Sequence, residues 1–427
     1  MNNTTICALA TKTGGAISII RVAGDKSVDI TGSIFKGKKP LDGAKGYTAH
    51  YGNICDGEKI IDEVIVTVYR APYSYTGEDS TEIAFHGSPY IAEQICSLLI
   101  KNGCTQARPG EFTQRAFLNG KMDLSQAEAV ADLIASRNAA SHRIAMQQMK
   151  GGITIKLQQL RSQLLKLTSL LELELDFSEE DVEFADRTQL LDIAENLKRE
   201  ITALSKSFQK GNAIKNGIPV AIIGAPNVGK STLLNQLLEE DCAIVSDIQG
   251  TTRDTIEDTI NISGILFRFI DTAGIRKTND KIEQMGIERA IKAASKAQII
   301  IMLTEPGVPY PDYMPSDTQT VIKITNKTPD FQALTGKGLA ELKDELLSFV
   351  DTNNSDDVII TNIRHKEALD KANLALSDTI SAINQNLSGD LISEHLRQCL
   401  NCLSEVSGEI TTTDVLKNIF SQFCIGK

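Results

Sequence analysis

The sequence predicts a multidomain chain, α/β in its middle and helical or α+β around it, and three observations carry that expectation. The apolar stretch Val220-Ala221-Ile222-Ile223 runs into residues 224–231, Gly-Ala-Pro-Asn-Val-Gly-Lys-Ser, which is a strand leading into a glycine-rich phosphate loop. Leu157, Leu160, Leu164, Leu167 and Leu171 recur at steps of three and four, the spacing of one helix face. The length of 427 residues suggests about three domains of ordinary size.

The loop comes first in the chemistry. Its glycines let backbone N–H groups close around polyphosphate oxygens at a helix N-terminus. Asn227, Val228, Gly229, Lys230, Ser231 and Thr232 are therefore candidate nucleotide contacts, with Lys230 against the β- and γ-phosphates and the Ser231 hydroxyl on Mg²⁺. Residues 232–238 continue as a helix with a leucine stripe. The loop alone does not choose between ATP and GTP.

Downstream segments make that choice. Asp271-Thr272-Ala273-Gly274 follows the apolar strand 265–270, where a carboxylate reaches Mg²⁺ through water. Between the two, residues 250–254 offer the Thr251 and Thr252 hydroxyls to complete a Mg²⁺ shell when a γ-phosphate is present, a switch of the GTPase kind. The strand Val321-Ile322-Lys323-Ile324-Thr325 then enters Asn326-Lys327-Thr328-Pro329-Asp330, a guanine-reading Asn-Lys-x-Asp element whose aspartate stands one place late. Asp330 serves if the loop bulges; Pro329 at the expected place leaves base selectivity open. Gln332 replaces the usual serine of the last base-contacting element, where the contact is a backbone N–H that glutamine keeps.

Segments on either side specify more. In order, the chain carries residues 73–79 (Tyr-Ser-Tyr-Thr-Gly-Glu-Asp), Glu82 to Gly87, Ala107 to Thr113, Arg115 to Leu124 and Gln126 to Ile134, and it ends Phe423-Cys424-Ile425-Gly426-Lys427. Together these resemble the MnmE (TrmE) family of tRNA-modifying GTPases over nearly the whole chain. The resemblance implies an N-terminal α+β folate-binding and dimerisation domain over 1–118, a helical domain over 119–212 and 351–427, and a Ras-like P-loop G domain inserted over 213–350.

It also implies a chemistry. K⁺ would be held by Asn227 with oxygens from Ser246, Ile248 and Thr251, Mg²⁺ by Ser231 and Thr252, and the attacking water would be placed by Glu283, since Ile275 after the Asp-x-x-Gly cannot orient water. GTP contacts would extend over Ser246, Thr251, Thr252, Asp271, Thr272, Ala273, Gly274, Asn326, Lys327 and Asp330. A 5-formyl- or 5,10-methylene-tetrahydrofolate would meet Arg21, Glu78, Lys121 and the terminal Lys427, the carboxylate pairing with pterin N–H donors and the cations facing the glutamate tail. Cys424 reads equally as a catalytic thiol and as a packed tail residue. The implied partners are a second copy, tRNA, and the FAD-dependent MnmG flavoprotein in a heterotetramer; this chain carries no dinucleotide-binding fingerprint of its own. Two other classes stay open: a regulatory GTPase switch, and a nucleotide-binding scaffold without modification chemistry.

A net charge of −11, from 44 Lys and Arg against 55 Asp and Glu, opposes simple polyanion binding, so the RNA partner rests on the resemblance alone. Lys36, Lys38 and Lys39 read as a solvated loop. The eight cysteines are scattered, no signal-peptide pattern opens the chain, and no apolar run approaches the roughly 20 residues that cross a bilayer. The expectation is reduced thiols, a cytoplasmic chain and no membrane partner. Cys399 and Cys402 form a lone C-x-x-C on a helix, without the second pair of a zinc site, and read as a buried pair.

Overall fold

The computed structural model describes residues 4–176, 187–240, 258–270, 291–316, 319–349, 358–421 and 423–426. They belong to two compact units, Met1–Ala131 with Ser404–Lys427, and Asp132–Leu403.

In the first unit, β1 (Ile6–Leu9), β2 (Ile17–Ala23), β3 (Phe35–Gly37), β4 (Thr48–Asp56), β5 (Lys59–Tyr69), β6 (Ser80–His86) and β7 (Thr105–Gln106) form one sheet in the order β3-β4-β5-β6-β2-β1-β7. All pairs are antiparallel except β1 with β7. Side chains alternate along β5: Val64, Val66 and Val68 are buried while Glu63 and Ile65 face outward. The buried face packs with Val28 and Ile34 of α1 (Ser27–Ile34) and Ile95 and Leu99 of α2 (Pro89–Lys101) in one core. On the other face Ile6, Ala8 and Ala23 pack with Phe112 at the β1–β2 end, while farther along Tyr51 pairs in register with Ile65, and Ile65 with Ala84, leaving Tyr51, Ile65 and Ile17 exposed. α3 (Glu111–Leu118) and α4 (Leu124–Ala135) follow, and Leu124 and Ala127 share a core with Phe420 of the C-terminal helix (Thr413–Ser421) and with Phe423.

The second unit takes up the last turn of α4 and continues with α5 (Ala139–Met149), capped by the Asn138 side chain accepting from Ser141 N–H at 2.7 Å. It continues through α6 (Gly152–Asp176) and α7 (Arg187–Asn216). The five-leucine stripe of α6 is buried throughout, as its spacing predicts. A second sheet follows, from β8 (Ile218–Gly224), β9 (Asp258–Ile262), β10 (Ile265–Phe269), β11 (Ile299–Thr304) and β12 (Thr320–Thr325), in the order β12-β11-β8-β10-β9. β8, β10, β11 and β12 run parallel, and β9 is antiparallel to β10 at the edge. α8 (Lys230–Glu240) contributes Leu233, Leu234 and Leu237 to the core on one face, and α9 (Leu339–Ser348) contributes Leu339, Leu342 and Leu346 to the same core. Among the described residues 305–316 after β11 there is no helix; Tyr310 hydrogen-bonds Thr325 at 2.9 Å, and the Thr304 hydroxyl donates to Val308 O at 2.7 Å.

α10 (Ile363–Asn384) and α11 (Gly389–Ser407) as far as Leu403 complete this unit, and α10 packs along α7, with Thr202 donating to Asn373 at 3.2 Å. The two ends of the sheet domain meet beside α5 and α7. Gln148 donates to Ile359 O at 3.0 Å, and Ile360 N–H donates to Ser207 Oγ at 3.1 Å. Gly211 is required there, because a Cβ would lie 2.1 Å from Ile360 O.

Candidate nucleotide-binding and ligand sites

β8 lies at the centre of its sheet with β10 on one side and β11 on the other, so the loop leaving its C-terminal end opens where parallel α/β sheets bind ligands. Val228 is buried and anchors the loop in the core, while Asn227 sits exposed at the tip with φ 62°. Gly229 has φ +100°, and a Cβ there would meet Asn326 Nδ2 at 2.4 Å, so only glycine serves. Leu233 N–H donates to Gly229 O at 2.9 Å and starts α8, which brings Ser231 and Thr232 into the first turn. The Lys230 ammonium folds back onto Gly224 O (2.9 Å) and Ala225 O (2.8 Å). Burial holds its pKa below the ordinary lysine value, a cost that an approaching phosphate relieves.

Asn326 fastens this loop. It is buried, its Nδ2 donates to Val228 O at 2.8 Å, and its Oδ1 accepts from Ala333 N–H at 2.9 Å. One side chain thereby joins the phosphate loop, the end of β12 and the 332–338 loop, three segments the sequence placed at one site. Lys327 is exposed and paired with Glu305. Asp330 is exposed at the corner of a tight turn in which Thr328 N–H donates to Phe331 O and Phe331 N–H to Thr328 Oγ1, both at 3.1 Å. The proline before it is thus accommodated by a turn. Ser246, Ile248, Thr251, Thr252, Asp271, Thr272, Ala273, Gly274 and Glu283 lie outside the described residues.

The first unit gathers Arg21, Glu78 and Lys121 around the loop 70–79. Arg21 on β2 bonds Glu82 Oε1 through Nε (2.9 Å) and Nη2 (2.8 Å), and its guanidinium lies 5.2 Å from the Tyr75 ring and 5.6 Å from that of Phe112. Glu78 receives Arg115 Nη1 on both oxygens, at 3.2 and 3.3 Å. Lys121 donates to Pro72 O at 3.0 Å, and its stem passes beside Gly77, where a Cβ would be 3.3 Å from its Cγ. Asn119 donates to Thr76 O at 2.7 Å and ties the turn after α3 to the same loop.

Arg115 is the residue that motif reading missed. Beyond Glu78 it bonds Glu111 Oε1 at 3.2 Å and Thr4 O at 2.9 Å, so one guanidinium serves two carboxylates. Burial works to raise the Glu111 carboxyl, but hydrogen bonds from the Arg108 backbone and side chain and from Arg115 outweigh it, and its pKa falls below the ordinary value. In the tail, Cys424 is exposed and its carbonyl accepts from Gly110 N–H at 3.4 Å; Lys427 lies outside the described residues. Cys399 and Cys402 are buried on α11, and burial pushes the Cys399 thiol up to about 12.

A strand, a glycine-bearing loop and a helix, stapled by an Asn-Lys element, define a phosphate-loop nucleotide-binding protein, here with a separate sheet domain before it and helices on either side of the insertion. Family models narrow this: residues 5–121 match the GTP-binding protein TrmE N-terminus and residues 124–424 the MnmE helical domain. The tRNA modification GTPase MnmE of Bacteroides thetaiotaomicron is 51% identical over an alignment of 470 positions, gaps included, covering 100% of both chains. That of Parabacteroides distasonis is 51% identical over 459, covering 99% of this chain and 100% of the other, and that of Cytophaga hutchinsonii 45% over 450, covering 99% and 98%. The chain belongs to the MnmE family. No helix among the described residues is long and apolar enough to cross a membrane.

Proposed function

We propose that this chain hydrolyses GTP and, in the cytoplasm, helps transfer a one-carbon unit from 5-formyl- or 5,10-methylene-tetrahydrofolate to C5 of the wobble uridine of tRNA, beside an FAD-bearing MnmG flavoprotein. What carries the reading is a coexistence in one chain, similar end to end to tRNA modification GTPases: a phosphate loop held by Asn326, and a separate set of half-buried Arg21 and Glu78 with exposed Lys121.

In this reading Lys230 moves from its two carbonyls onto the β- and γ-phosphates, and the N-terminal N–H groups of α8 close around them. Ser231 and Thr252 hold Mg²⁺. Asn227 holds K⁺ with oxygens of Ser246, Ile248 and Thr251; its exposed side chain has no hydrogen bond among the described residues, which suits a cation ligand. Bound there, the two cations offset charge developing between the β- and γ-phosphates, a task an arginine finger performs in other GTPases. Glu283 orients the water, and Asp330 reads guanine from the corner of its turn. In the first unit Glu78 accepts from the pterin edge while Arg21, Lys121 and Lys427 meet the anionic tail. The exposure of Cys424 supports the reactive reading of its thiol. The open sheet face bearing Tyr51, Ile65 and Ile17 supports a homodimer.

Hydrolysis of GTP and ATP in K⁺ against Na⁺ buffers, for the wild type and Asn227→Ala, tests the G-domain half. The expected result is K⁺-dependent, GTP-selective turnover, with K⁺ stimulation lost in the variant and nucleotide affinity changed only a few-fold. Equal use of ATP would remove Asp330 as the guanine reader; absent turnover would leave a nucleotide-binding scaffold. Calorimetric titration with 5-formyl-tetrahydrofolate tests the other half, since Glu78→Ala is expected to weaken that binding while GTP turnover stays unchanged.

A further inference from the structure

The acidic balance of the chain conceals a long basic interval. Between Asp132 and Glu172 there are six Lys and Arg (Arg137, Arg143, Lys150, Lys156, Arg161 and Lys166) and no Asp or Glu at all, in a protein of net charge −11. The interval covers α5 and most of α6. Helical geometry sorts it into faces: on α5, Ser141, Ile144, Ala145 and Gln148 are buried, while His142, Arg143 and Lys150 lie along the opposite, exposed stripe. On α6 the leucine stripe Leu157 to Leu171 is buried, and the exposed face carries Gln158, Gln159, Ser162, Gln163 and Lys166 together with two apolar side chains, Ile155 and Leu165.

Lys156 is neutralised by Glu200 of α7 at 2.7 Å. Arg137, Arg143, Lys150 and Lys166 have no ion pair among the described residues. The exposed surface of these two helices before Glu172 thus offers unpaired cations among amide and hydroxyl donors, with no carboxylate in the chain between Asp132 and Glu172. A polyanion with regularly spaced charges is the complement of such a face, because each cation that meets a phosphate releases condensed counterions, and Gln and Ser supply neutral hydrogen bonds to phosphate and sugar.

We infer that the exposed face of α5 and α6, centred on Arg143, Lys150 and Lys166, binds the phosphate backbone of tRNA. This rests on the tRNA-modification reading above and places the RNA on the helical part of the chain. It also resolves the conflict between an acidic protein and an RNA substrate: the overall charge limits indiscriminate binding, while one carboxylate-free face holds the substrate.

The test is fluorescence anisotropy of labelled tRNA transcript with the purified full chain over a salt series. Wild type is compared with Arg143→Gln/Lys150→Gln/Lys166→Gln and with a charge-matched control, Lys38→Gln/Lys39→Gln/Lys45→Gln, in the first unit. The expected result is at least about a tenfold loss of affinity in the first variant only, and a plot of log affinity against log salt shallower by roughly 2–3, since each lost phosphate contact removes about 0.7–0.9 from the slope. GTP turnover of the variant at the wild-type rate certifies its fold. Unchanged affinity and slope in the α5–α6 variant would overturn the assignment while leaving tRNA as substrate, and would turn that face over to an acidic protein surface. An equal loss in the control would reduce it to bulk charge. A wild-type chain that binds no tRNA would overturn both the surface and the reading beneath it.

Discussion

The phosphate loop and the site proposed at Arg21, Glu78 and Lys121 are two ways of building a binding site. The loop is made of backbone: its geometry follows from glycine conformations and a helix N-terminus, and two side chains, Lys230 and Asn326, account for nearly all its specific hydrogen bonds. The first-unit site is made of side chains from a strand, a loop and a turn, each held by a counter-ion or a carbonyl. A backbone site should therefore fail through very few substitutions, whereas a side-chain site should weaken by degrees at many.

The sharpest break comes at Lys230. Lys230→Ala is expected to lower GTP turnover by about 10²–10³-fold, the range for losing one pre-aimed charge-stabilising donor. Phosphate release under saturating GTP measures it, and a loss below tenfold would mean the loop does not depend on that ammonium. Asn326→Ala comes next: it leaves Ala333 N–H and Val228 C=O without their partner, a cost of about 2–4 kcal/mol from two buried groups. Thermal unfolding should show this, with nucleotide affinity falling alongside; an unchanged melting temperature would mean that the three segments hold together by other means.

On the side-chain site the effects are graded. Arg115→Gln strands Glu78 and leaves Glu111 with Arg108 alone, a cost of roughly 2–3 kcal/mol, between the ranges for exposed and buried ion pairs. It should weaken folate binding without touching GTP turnover, and equal folate affinity would show that Glu78 keeps its place unaided. The smallest effect is at Glu111. Its folded pKa is depressed, so its stabilisation is fully present above the unfolded carboxylate value near about 4.3 and is lost as pH falls through the folded value. Glu111→Gln should cost about 1 kcal/mol at pH 7, and the gap to wild type should close in melts taken well below pH 4. A gap that persists in acid would assign the loss to packing.

The same contrast explains what sequence alone revealed. The phosphate loop and Asn326 were legible because their residues are contiguous and their chemistry demands fixed types at fixed spacing. The α6 leucines and the buried Cys399–Cys402 pair were legible from helical period. Arg115 was not, because its partner Glu78 lies 37 positions away, and Glu82 is 61 positions from Arg21; no local pattern links them. The turn at Asp330 escaped for another reason: an Asn-Lys-x-Asp template scores position, whereas Thr328 closes the turn with its hydroxyl. Net charge hid the α5–α6 face because a sum discards order along the chain.

The meeting of Ile359 and Ile360 with Gln148, Ser207 and Gly211 has a kinetic consequence. α7 and α10 must pair across the whole inserted sheet domain, and an unfolded insert would make that pairing a long loop closure, whose entropic cost grows by about 0.6 kcal/mol with each doubling of length. A folded insert delivers its two ends side by side and removes most of that search. Assembly should therefore be ordered, with the sheet of β8 to β12 first and the docking of α10 second. A shortened chain joining Asn216 to Ile359 through a few glycines and serines would be expected to form the helical pair faster than the parent.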